Sequence, residues 1–182
     1  MESSHFLQAL WLILPIVIAG VLHMLAVRWN IFPALRTPIN ARVFGANKTL
    51  RGFILMPIFC SIGVFISHAV QISLGYGSIF FANRAANLGL GLLLGLGYCL
   101  GELPNSWYKR RLGIPPGQSL PGHRVVSLIT DHMDSLIGCL FVYGSLVALT
   151  VMSCVLIIIL GPLIHILINM GLYAVGVRKE PL

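Results

Sequence analysis

Acidic residues are scarce in this 182-residue chain: Asp and Glu number five, against twelve Lys and Arg. Charged residues of either sign make up only 9% of the sequence, and no polar stretch is long enough to accompany a packed soluble core. That excludes a soluble domain of useful size. With 57% hydrophobic residues and a mean hydropathy of +0.91, the chain reads as an all-α integral membrane protein. Cys60, Cys99, Cys139 and Cys154 stand singly in apolar segments. They show neither metal-ligand spacing nor a disulfide framework, so they read as small packing residues. No Lys or Arg precedes Arg28, so the basic start of a signal peptide is missing too. A net charge of +7 would suggest nucleic acid in a soluble domain. In a membrane protein it points to cytoplasmic loops facing anionic headgroups or an anionic substrate, and no nucleic-acid partner is expected.

What is present is long apolar runs. A single polytopic domain, 1–182, is expected to hold about five spans, roughly 6–27, 53–74, 86–102, 128–150 and 153–176. Pro15 is expected to kink the first. The run from about 136 to 177 is too long for one helix; its turn is placed near Thr150–Ser153, with Gly161-Pro162 as the competing break. Arg28, Arg36, Arg42, Lys48 and Arg51 fall in a loop at roughly 28–52, and Lys109, Arg110, Arg111 and Arg124 in one at roughly 103–127. The opposite side has only Arg84, and the tail carries Arg178 and Lys179. Positive-inside counting in a cell membrane puts the N-terminus outside, and both loops and the C-terminus in the cytoplasm. Two loops on one side can build one active site. In the third span, Gly91 and Gly95, and Gly97 and Gly101, are four apart and allow close helix approach, within one subunit or across a homodimer seam.

Chemistry is concentrated in 101–138. Three of the five carboxylates, Glu102, Asp131 and Asp134, border the second basic loop; Glu2 and Glu180 sit near the two ends. Asp131 and Asp134 share a helix face near the start of the fourth span. Carboxylates at membrane depth are costly and usually functional. Two of them with phosphate oxygens suit Mg²⁺; a helix cap plus an ion pair to Arg124 or Lys109 is the plain alternative. Glu102, Ser106 and Lys109 share a face if the helix persists past Pro104, where a kink or an end is expected. Of Lys109, Arg110 and Arg111, at least one reads as a snorkelling anchor. Lys48, Thr49 and Arg51 lie between Gly45 and Gly52 and suit phosphate, although no strand precedes them as in a true P-loop. His23, His68 and His165 read as packed or interfacial; His123 and His132 are the two near the site.

Three segments together resemble the signatures of the CDP-archaeol synthases. They are Asn47-Lys48-Thr49-Leu50-Arg51-Gly52, then Gly101-Glu102 with Asn105-Ser106-Trp107-Tyr108-Lys109-Arg110-Arg111-Leu112-Gly113-Ile114, then Asp131-His132-Met133-Asp134. That family of membrane cytidylyltransferases is related to the CDP-diacylglycerol synthases, which also pair Ser-x-x-Lys-Arg with a later Asp-x-x-Asp. The chain departs twice. Glu102 stands where Asp is expected, and His123–Thr130 reads as an insertion ahead of Asp131.

The resemblance implies transfer of CMP from CTP to a lipid phosphate, archaeol-type or phosphatidate-like, with release of pyrophosphate. Lys109, Asp131 and Asp134 would be catalytic; Asp131, Asp134 and Glu102 would hold Mg²⁺. Lys48, Thr49, Arg51, Asn105, Ser106, Arg110 and Arg111 would bind CTP and phosphate. The rivals are a lipid-phosphate phosphatase, for which the serine before Gly122-His123 is missing, and a small transporter or channel. A CDP-alcohol phosphotransferase would need four acids in one motif.

Overall fold

The computed structural model describes residues 2–118 and 124–177. His123, Arg178, Lys179 and Glu180 lie outside the described residues, as do the side chains of Glu2, Arg124 and His132. The elements are α1 (Glu2–Arg28), a 3₁₀ turn (Pro33–Arg36), α2 (Ala41–Phe44), α3 (Leu50–Ser73), α4 (Arg84–Arg111), α5 (Arg124–Leu146) and α6 (Val151–Ala174). Four of the long helices, α1, α3, α4 and α6, are long and apolar enough to cross a membrane. The fifth, α5, spans 23 residues but takes in Asp131 and Asp134, which lower its apolar character. Their side chains are turned toward α4, so the outward face stays apolar, with Ile137 and Phe141 exposed.

Local chemistry sets the ends. Asn83 Oδ1 accepts from the N–H of Ala85 at 2.7 Å and starts α4, and Thr150 Oγ1 accepts from Ser153 N at 3.1 Å to start α6. The turn before α6 therefore falls at 147–150, and Gly161-Pro162 stays inside the helix. Of the kink or end expected at Pro104, the end is corrected: α4 runs through it to Arg111. One proline costs one backbone hydrogen bond to Leu100, and the helix resumes because its far side is tied to α5 through Asn105 and Lys109. The second basic loop is correspondingly shorter than 103–127. Residues 124–130, read as part of an insertion, are the opening turns of α5. In the first loop, Ile39 N donates to Lys48 O and Leu50 N to Thr37 O, both at 2.9 Å, pinning the loop back on itself just before α3.

The five long helices close a ring: α1 packs on α3, α3 on α4, α4 on α5, α5 on α6, and α6 back on α1. At the end opposite the basic loops the ring is shut. Tyr143, fully buried, donates to Leu12 O at 2.7 Å, and Gln8 bridges α1 to Ala148 O at 2.9 Å. At the basic-loop end it stays open. Glycines set the spacing within this one chain. A Cβ at Gly91 or Gly95 would overlap the backbone of Ser61 or Pro57 on α3, and one at Gly97 or Gly101 that of Gly138 or Asp134 on α5. Both glycine pairs are therefore used inside the subunit. Gly63 on α3 lies in the same way against Pro15 of α1. Cys60, Cys99 and Cys139 are buried at these contacts as free thiols, in the packing role expected of them.

The open end leads to a sidedness test. Single cysteines at Arg42 and Gln118, in a background without the native four, are expected to resist impermeant thiol reagents in intact cells and to react after the membrane is opened. Labelling of either from outside would reverse the proposed orientation.

Candidate active site

The open end of the ring holds a cavity of about 1310 Å³ that draws residues from α1, α3, α4, α5, α6 and both basic loops. Its polar wall is built on α4. Glu102, Asn105, Ser106 and Lys109 all line it because the helix persists past Pro104 and keeps them on one face. Across from them, α5 supplies Asp131 and Asp134. Lys109 Nζ donates to both oxygens of Asp131 at 2.6 Å, and Asn105 Nδ2 donates to Asp131 Oδ1 at 2.6 Å and to Asp134 Oδ2 at 2.9 Å. The other oxygen of Asp134 accepts from the Ser135 N–H at 2.6 Å. One amide nitrogen thus holds two carboxylates together, and a lysine only 6% exposed neutralises the outer one. Because α5 begins at Arg124, two turns ahead of Asp131, neither aspartate caps it.

The first basic loop forms the opposite wall. Lys48 is ion-paired to Glu102, which ties the loop to α4. Arg51, 7% exposed, has Nε and Nη1 buried with no hydrogen-bond partner among the described residues, and the same holds for Nε and Nη1 of Arg110. Gly45, with φ of +93°, lets the loop fold in where any side chain would press on Arg110 Nη1 and Asn47. Buried guanidinium nitrogens facing a cavity favour anions, because an unpaired charged donor out of water is costly. Sites meant for phosphate have this character.

A family model described as "CarS-like: CDP-archaeol synthase" matches residues 4–181. The chain belongs to the CDP-archaeol synthase family. Curated relatives agree. The CDP-archaeol synthase of Thermofilum pendens is 29% identical over 85% of this chain and 68% of its own length. That of Methanosarcina acetivorans is 30% identical over 77% and 82%, and that of Pyrobaculum islandicum 28% identical over 100% and 99%. No solved structure matches. Family membership makes the chain a CTP-dependent cytidylyltransferase of the membrane, and the phosphatase and channel alternatives fall with it.

The cavity brings together Lys48, Thr49, Arg51, Glu102, Asn105, Ser106, Lys109, Arg110, Asp131 and Asp134. Arg111 is not among its lining residues: its guanidinium lies 5.2 Å from the centre of the Trp107 ring, on the exposed face of α4. The helix continues through these residues, so Arg111 points away from Lys109, and the anchoring role falls to it. Glu102, expected at a metal, is ion-paired to Lys48. Among the described residues no three His, Cys, Asp or Glu side chains gather around one point. His23 and His165, read as packed or interfacial, line the cavity, as do Tyr98, Ser135 and Asn169. Only their positions on helix faces turned into the ring mark them, and a sequence without an alignment shows such faces poorly.

Proposed function

We propose that this enzyme transfers the cytidylyl group of CTP to the phosphate of an archaeol-type lipid at the cytoplasmic face, giving CDP-lipid and pyrophosphate. A phosphate oxygen of the lipid bonds to the α-phosphorus as the bond to the bridging oxygen breaks, and pyrophosphate leaves with the electron pair. The nucleophile is already an anion near neutral pH, so no strong base is needed. Catalysis then rests on alignment and charge neutralisation. Lys109, Arg110, Arg51 and Lys48 supply positive charge around the phosphates, with Thr49 and Ser106 as hydroxyl donors. Asn105 holds the two aspartates at a fixed separation.

The donor set fits Mg²⁺. Two carboxylates drawn together by the Asn105 amide at the wall of a roomy polar cavity match an ion that takes one or two carboxylates and fills its shell with phosphate oxygens and water. Asp131 and Asp134 would hold it, Glu102 joining only by releasing Lys48. When bound, the ion would neutralise triphosphate charge.

The observation that carries this reading is the pairing, in one cavity, of a Lys–Asp–Asn–Asp cluster with Arg51 and Arg110, each of which has buried Nε and Nη1 atoms without a partner among the described residues. Purified protein in Mg²⁺ is expected to release pyrophosphate only when CTP and a lipid phosphate are both present, faster with an isoprenoid ether phosphate than with phosphatidate. Pyrophosphate from CTP alone, or inorganic phosphate from the lipid alone at a matching rate, would overturn it.

A further inference from the structure

We infer that Asn169 on α6 is a specificity-determining residue that hydrogen-bonds the linkage oxygens of the lipid substrate, where its glycerol carbons join the chains. This rests on the lipid-phosphate reading above and adds a subsite to it.

The setting of Asn169 is unusual. The helix carrying it is the most apolar of the four candidate spans and turns most of its surface outward. Only Ser153, Ile157 and Asn169 on it are buried. Ser153 is hydrogen-bonded to Gln8 and Thr150 at the closed end, which accounts for one polar group in that helix. Asn169, 5% exposed, makes no side-chain hydrogen bond among the described residues, yet it lines the cavity. Its carboxamide borders the cavity instead of tying α6 to another helix, so a ligand oxygen entering there would gain a hydrogen-bond donor. Such a group in an apolar helix marks a ligand contact rather than a packing choice.

Its neighbours identify the part of the ligand. Ile168 and Leu172 flank it on α6, and Ile16 and Val17 line the cavity from α1. His165 stands one turn earlier on the same face of α6, and His23 lines the α1 side beside Gly52 and the phosphate-facing Arg51. Apolar walls interrupted by a few polar side chains are unsuited to a triphosphate, whose charges belong with Lys48, Arg51, Lys109 and Arg110. They suit the part of a lipid between phosphate and tails, where ether or ester oxygens accept hydrogen bonds and carry no charge. An Asn amide can donate to either kind.

The test uses the full-length enzyme in detergent, with Asn169→Leu and Asn169→Ala as parallel variants. Two readouts are taken: initial rates against each substrate, and the thermal shift each substrate produces without turnover. Removing the donor is expected to raise KM for the lipid phosphate about tenfold, the scale of one lost buried hydrogen bond. KM for CTP at saturating lipid should stay within twofold. The lipid-induced thermal shift should shrink while the CTP-induced shift persists. Ligand-free Asn169→Leu should melt within about 2 °C of wild type, because the amide borders the cavity and holds no other helix in place. A rise in KM for CTP instead, or a drop in melting temperature with both KM values unchanged, would overturn the inference. The thermal shifts separate it from the reaction itself. Wild-type protein that binds the lipid phosphate but releases no pyrophosphate would refute the cytidylyl transfer while leaving the subsite in place.

Discussion

Asp131→Asn and Asp134→Asn are each expected to lose about 10²-fold or more in turnover while the protein still inserts and stays folded. The two changes act differently. At Asp131 the substitution removes the counter-charge that Lys109 contacts at 2.6 Å, so a buried ammonium is left to find another partner. At Asp134 the Lys109 pair survives, and what goes is the inner carboxylate that Asn105 and the Ser135 N–H hold in place. Asp134→Asn should therefore keep near-wild-type thermal stability, whereas Asp131→Asn should melt lower. Raising Mg²⁺ should restore part of the turnover of either variant if the pair binds metal. Steady-state pyrophosphate release and a thermal melt on the same preparations check all of this. Turnover near wild type in either variant would reduce the cluster to a strut between α4 and α5.

Gly138→Ala should be among the most damaging single-methyl changes available. The added carbon would overlap the carbonyl oxygen of Gly97 and come within 3.2 Å of the Gly101 Cα, and backbone cannot swing aside as a side chain does. Overpacking of this kind costs about 1–3 kcal/mol, and more when neither helix can shift. Function should fall with stability, because forcing α5 off α4 pulls Asp131 and Asp134 away from Asn105 and Lys109. Gly89→Ala is the control. No atom lies within 4 Å of a Cβ there, so the same methyl on the same helix pair should raise stability by about 0.5–1 kcal/mol through helix propensity alone. Melting midpoints in detergent decide it, and equal midpoints for wild type and Gly138→Ala would show that the interface is looser than this packing implies.

Composition made the membrane class readable, and the scarcity of acids made the site readable. Asp131, Asp134 and Glu102 were conspicuous because few other carboxylates competed for attention, and the run of cations beside them narrowed the chemistry to phosphate. What a linear reading could not supply was direction. Three consecutive cations at 109–111 look equivalent in sequence, and only a continued helix shows that Lys109 faces Asp131 while Arg111 lies on Trp107. Pro104 worked against that continuation, since a proline argues locally for an end and the tertiary ties that override it involve residues of α5. Nor could Asn169 or His23 be found. Each is a single polar residue in an apolar run, and its meaning depends on whether its face turns to lipid or into the ring.

Prolines and glycines meet in pairs along the middle of the ring, Pro15 against Gly63 and Pro57 against Gly95. In each pair the glycine is a notch that takes the backbone of the facing proline residue, so each pair behaves like a tooth in a rack and resists the sliding of one helix along its neighbour. Two such teeth in series fix the height of α1 against α3 and of α3 against α4. The elevation of Arg51, at the first turn of α3, relative to Glu102 and Lys109 on α4 is therefore set several turns away, inside the membrane. The loop at 29–49 is freed from that duty. Its length and sequence can drift without misaligning the charges, so long as Lys48 still reaches Glu102.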